Sequence, residues 1–133
     1  MSHADDDALM GRAGSAREKA YAPYSGFRVG AAVRDEHGNV HTGCNVENAA
    51  YPLGTCAETA AIAAMINAGG SRIDTIAVAG GADEAGPCTP CGGCRQRIAE
   101  FGHADTRIVV LAENGERVSY AVDELLPACF SLD

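Results

Sequence analysis

The chain has 133 residues, 47% of them hydrophobic but only 5% aromatic, with no tryptophan and a formal net charge of −8. That length suits a single domain, 1–133, with a modest core. The acidic balance excludes nucleic acid as a bulk partner, because phosphate backbones require a basic face. No apolar run approaches the ~20 residues of a membrane-spanning helix.

Residues from Asp5 to Ala20 read as a first helix, acidic at its start and basic at its end (Arg17, Lys19), which suits the helix dipole. Tyr21-Ala22-Pro23-Tyr24-Ser25-Gly26 is a turn. Phe27 to Val33 and Val40 to Val46 are two strands joined at His37-Gly38-Asn39, a hairpin signal. Thr55 to Ala68 is an Ala-rich helix closed by Gly69-Gly70. Ile73 to Ala79 is a buried strand. A short helix, Cys91 to Phe101, follows Pro90. Thr106 to Leu111 and Arg117 to Tyr120 are strands on either side of the Asn114-Gly115 turn. Asp123 to Phe130 reads as a closing helix. Helices alternating with apolar strands imply an α/β fold, a three-layer αβα sandwich around a mixed sheet of about five strands.

The six cysteines carry the chemistry. The chain opens on Met1-Ser2-His3-Ala4 and three aspartates, with no secretory pattern. A cytoplasmic setting is expected, where clustered cysteines serve metals or redox chemistry more often than disulfides. Cys56, in Cys56-Ala57-Glu58, and Cys91 and Cys94, in Pro90-Cys91-Gly92-Gly93-Cys94, each fall at a predicted helix start. There the positive helix end favours the thiolate that zinc needs. Three protein ligands leave one position of a tetrahedral zinc open, as in catalytic sites, whereas four close it. Glu58 stands two residues from a ligand, near enough to move protons at the metal. Arg95, beside Cys94, is expected to offset the thiolate charge. Other readings remain open. Cys88-Thr89-Pro90-Cys91 is a possible redox pair, Cys88 or Cys44 a possible fourth ligand of a structural site, and the cysteines possible core residues. Cys44 and Cys129 are read as core. Zinc deaminases of nucleobases carry this His/Cys signature with its Glu.

Five segments resemble the small, homotetrameric, zinc-dependent cytidine deaminases, over about Ala20 to Phe130. They are Tyr24-Ser25-Gly26-Phe27-Arg28-Val29-Gly30-Ala31-Ala32, Gly43-Cys44-Asn45-Val46-Glu47-Asn48-Ala49, Cys56-Ala57-Glu58, Pro90-Cys91-Gly92-Gly93-Cys94-Arg95-Gln96 and Leu125-Leu126-Pro127-Ala128-Cys129-Phe130. The resemblance implies one zinc per chain and hydrolytic deamination of cytidine and 2′-deoxycytidine, with Glu58 as proton shuttle. It implies Asn45 and Glu47 on the ribose hydroxyls, Phe27 against the pyrimidine ring and a backbone contact from Ala57. Phe130 and Tyr51 would reach a neighbouring subunit's site within a homotetramer. From the residues themselves, Asn45 and Glu47 also fit a polar hairpin end, Phe27 a core residue and Phe130 a terminal staple. One departure stands out: many relatives carry Arg directly after the catalytic Glu, and this chain has Thr59. Rival functions are deamination of a related aminopyrimidine nucleoside, such as a nucleoside antibiotic, and a non-catalytic zinc module. A structural zinc site has no use for Glu58.

Overall fold

The computed structural model describes residues 3–132. Helix α1 (His3–Arg17) leads into strands β1 (Arg28–Asp35) and β2 (Val40–Cys44). A 3-10 turn at Tyr51–Leu53 precedes helix α2 (Ala57–Asn67) and strand β3 (Ile73–Gly81). Helix α3 (Gly92–Phe101), strands β4 (Arg107–Leu111) and β5 (Arg117–Ala121), and helix α4 (Val122–Leu125) complete the chain. The strands form one sheet in the order β2-β1-β3-β4-β5. Among these strands of the described residues, β3 and β4 run parallel and the other pairs are antiparallel. The helix α3 lies in the crossover between those two parallel strands, as parallel pairing requires.

Side-chain alternation along the strands separates two cores. Ala32, Ala77, Ala79 and Val109 face α1 through Leu9 and Ala13. Ala31, Val33, Ile76, Val78, Ile108 and Val110 face the opposite way, onto Ala57, Ala61, Ile62 and Met65 of α2 and Ile98 of α3. The three-layer mixed sandwich expected from the sequence is therefore the observed architecture. Among the described residues, no helix is long and apolar enough to cross a membrane.

Gly43 fixes how closely α2 lies on the sheet. A Cβ at that position would stand 2.5 Å from the Ala61 backbone nitrogen and 2.7 Å from the Ala60 Cβ. Glycine on the strand and alanines on the helix let the two backbones nearly touch. This contact seats the N-terminal end of α2, which carries Cys56 and Glu58.

Element ends differ from the sequence reading in instructive ways. Helix α1 starts earlier and stops at Arg17. Cys56 and Cys91 are the N-cap residues of α2 and α3, with extended backbone, rather than members of the first turn. The last helix is four residues long and not eight. Pro127 disfavours helical backbone at the residue before it, and Leu126 accordingly leaves the helical region at φ −142°. Cys129 is exposed and Cys44 half-buried, so neither is the core residue it was expected to be.

The first turn of α1 is tied by charge to β4, the strand next to the sheet's β5 edge. Arg107 donates to both carboxylate oxygens of the buried Asp6, Nη1 to Oδ2 at 2.8 Å and Nη2 to Oδ1 at 2.7 Å. The Arg107 hydrogen bonds hold the Asp6 carboxyl below its ordinary value, against the opposing effect of burial. A depressed carboxyl stabilises the fold above its unfolded value, ordinarily 3.8, and loses that contribution as pH falls through the folded value. Asp6→Asn is expected to destabilise the protein by about 1–3 kcal/mol at neutral pH. The gap between variant and wild type in urea melts should close as pH falls below about 4. A gap independent of pH would contradict the assignment.

Candidate metal and catalytic site

The Sγ atoms of Cys56, Cys91 and Cys94 all lie within 4.8 Å of one another. Around a tetrahedral zinc with Zn–S near 2.3 Å, sulfurs sit about 3.8 Å apart, so a small contraction closes the set on one ion. Three soft thiolate donors suit zinc. Two helix starts converge to make the cluster. Cys56 caps α2, Cys91 caps α3, and Cys94 lies three residues on from Cys91. All six cysteines are free thiols. Cys88 and Cys44 stand outside the cluster, which argues against a fourth protein ligand.

The environment differs around each sulfur. Burial pushes the Cys94 and Cys56 thiols up, and the negative charge of Glu58 adds to the effect at both. Cys91 is the exposed one, and the Cys94 backbone N–H at the helix start holds it down. Burial raises Cys88 to about 11, so it is a neutral thiol at the wall of the site.

Glu58, in the first turn of α2, is only 4% exposed. Burial lifts its carboxyl above the usual range, opposed by its own backbone N–H, the Cys94 thiol and the charge of Arg97. A carboxyl raised in this way holds a proton more readily than an exposed carboxylate, which suits a group that must take one up and hand it on. Phe27, Val29, Asn45, Cys56, Ala57, Glu58, Cys88, Thr89 and Cys91 line a cavity of about 240 Å³. The metal cluster, the carboxyl and three of the residues expected to meet substrate thus open on one space. Glu47 and Tyr51 border a neighbouring hollow of about 330 Å³, together with Tyr24, Ser25, Asn48 and Gly54.

Asn45 and Glu47 first serve the scaffold. Asn45 Oδ1 accepts from the Val29 N–H at 2.8 Å, and its Nδ2 donates to the Phe27 carbonyl at 2.9 Å. Glu47 Oε1 accepts from the backbone N–H groups of Tyr24 and Ser25, and its Oε2 from the Ser25 hydroxyl. Those bonds pin the loop before β1 and so aim Phe27, which is 41% exposed and not a core residue. Tyr51 is 77% and Phe130 71% exposed, and within one chain neither lines the cavity.

Arg95 does not take the place given it by sequence adjacency. Its guanidinium donates to the carbonyls of Pro90 and Leu125 and to the Thr89 hydroxyl. It braces the loop that carries Cys88 and Thr89. The guanidinium on a ligand sulfur is that of Arg97, with Nη1 3.9 Å from Cys94 Sγ. Spacing carried the signal, since residues three apart share a helix face and sequence neighbours do not.

Comparison with known proteins agrees with this geometry. Residues 3–121 match the family model described as the cytidine and deoxycytidylate deaminase zinc-binding region. A cytidine deaminase of Sporosarcina psychrophila is 41% identical over 127 residues, 96% of this chain and 92% of that protein. One from Halalkalibacterium halodurans is 43% identical over 129 residues, 97% and 96% of the two chains. The crystal structure of a Burkholderia pseudomallei cytidine deaminase superposes with a TM-score of 0.85 at 43% identity, covering 98% of this chain and all of that one. Fold, cysteine cluster and full-length likeness converge: the chain belongs to the cytidine and deoxycytidylate deaminase family, and the metal its cluster serves is zinc.

Proposed function

We propose that the protein hydrolyses cytidine and 2′-deoxycytidine to uridine and 2′-deoxyuridine, releasing ammonia, as a step of pyrimidine salvage in the cytoplasm. The observation that carries this reading is the buried Glu58 carboxyl in the same cavity as a three-thiol cluster. A purely structural zinc site needs no buried acid beside it, so the non-catalytic alternative leaves Glu58 unexplained.

Zinc, when bound by Cys56, Cys91 and Cys94, supplies the Lewis acidity that makes water a nucleophile at neutral pH. Water adds at C4 of the base and the exocyclic nitrogen leaves as ammonia. Glu58 takes one proton from the water and delivers it to N3, then takes the proton of the new C4 hydroxyl and passes it to the departing amine as the C4–N bond breaks. Phe27 lies against the pyrimidine, and the Ala57 backbone contacts the base. Asn45 and Glu47 bind the ribose hydroxyls without giving up their scaffold bonds. Asn45 retains a free N–H and a lone pair, and a carboxylate accepting three hydrogen bonds has about one further acceptor site. A free nucleoside needs no basic groove, which suits the net charge of −8. The direct test follows the loss of cytidine's ultraviolet absorbance on incubation with zinc-loaded protein. An unchanged spectrum from protein holding one zinc per chain would refute the reading.

Assembly completes the proposal. Tyr21, Tyr24, Tyr51, Leu53 and Phe130 are exposed large apolar side chains. Such residues are typical interface anchors. A homotetramer with D2 symmetry would cover them and bring Phe130 and Tyr51 to the sites of neighbouring subunits. Sedimentation is expected to give four chains per particle, and Phe130→Ala to weaken assembly or substrate binding by about ten-fold, as truncating an interface anchor does. A fully active monomer would contradict this arrangement.

A further inference from the structure

We propose that Arg97 is the cation that supports the Cys94 thiolate at the metal centre, and that Gly93 leaves open the space through which its guanidinium reaches the sulfur. The inference rests on the zinc reading above and adds a positioning residue to it. Cys94 is the fully buried member of the cluster, so water does least there to stabilise a thiolate. Two side chains approach its sulfur from different helices. Arg97 Nη1 comes from α3 and Thr59 Oγ1 from α2, each 3.9 Å from Cys94 Sγ. Arg97 lies one helical turn beyond Cys94 on the same face. Its tip passes over Gly93, where an added Cβ would stand 3.1 Å from Nη1. Any side chain at position 93 would crowd that route. Arg95, the other guanidinium on this helix, is occupied with Pro90, Thr89 and Leu125.

A cation outside the ligand shell offsets the negative charge of three thiolates and holds the sulfur in place. The test measures zinc release to an excess of chromogenic chelator at one fixed pH, together with the thiolate-to-metal absorption of the cobalt-loaded protein. Arg97→Met is expected to release zinc about 10-fold faster, the lower end of what losing an outer-shell partner costs, and to move the cobalt band. Arg97→Lys, which keeps the charge without the planar fork, should fall between Met and wild type. Adding Thr59→Arg to Arg97→Met should restore slow release, because it returns a guanidinium to the same sulfur from the other helix. Arg97→Met with release and cobalt spectrum like wild type would overturn the proposal, as would Lys and Met variants that release equally fast. Wild-type protein that holds no zinc would instead refute the metal centre itself.

Discussion

Glu58→Gln is expected to cut cytidine turnover by at least ~10²–10⁴-fold, the usual cost of losing a positioned acid–base group. The substitution keeps the size and packing of a side chain that is 4% exposed. It removes only the ability to carry a proton. Burial raises this carboxyl in the metal-free protein, so its ionised form opposes folding at neutral pH. A neutral amide relieves that cost, and metal-free Glu58→Gln should therefore melt no lower than metal-free wild type. Zinc content should be retained, since the cluster comprises the three cysteines alone. Near-normal turnover in a zinc-replete variant would end the proposed role. Loss of zinc along with turnover would make Glu58 part of the metal shell.

The second large effect belongs to Cys94. Cys94→Ser replaces a soft thiolate by a hydroxyl that does not ionise at neutral pH, at the most buried corner of the cluster. Zinc affinity should fall by more than the ~10–100-fold typical of losing an outer-shell partner, and turnover should fall with zinc occupancy. Cys88→Ser is the matched control. Its thiol, held at about 11 mainly by burial, lies outside the cluster, so zinc should stay bound in that variant. Equal zinc loss from the two variants would mean that Cys88 is a ligand.

The sheet and the cluster were legible in the sequence because their signals are local and strong. Helices alternating with apolar strands pointed to the layers, and cysteines at helix starts pointed to the metal site. What sequence missed depends on direction and on chain geometry. Arg95 stands beside Cys94 in sequence, yet adjacent helical residues point to different faces, and Arg97 is the one that reaches the sulfur. Asp123 to Phe130 reads as a short closing helix, but Pro127 stops it within one turn and leaves Phe130 on an exposed tail. The polar pair Asn45 and Glu47 looked like either a hairpin end or ribose ligands. Their observed hydrogen bonds belong to the hairpin end, and their remaining capacity is what substrate recognition would use. Nor does spacing within one chain reveal what covers Tyr51 and Phe130, since that surface depends on other copies.

A crystal structure of the zinc-loaded protein, with the metal located by anomalous scattering at the zinc edge, tests the central claim most directly. The account predicts one zinc per chain, with Cys56, Cys91 and Cys94 sulfurs at about 2.3 Å, a non-protein fourth ligand and the Glu58 carboxyl beside it. Zinc closed by four protein sulfurs, with Cys88 or Cys44 as the fourth, would make the site structural and contradict the account.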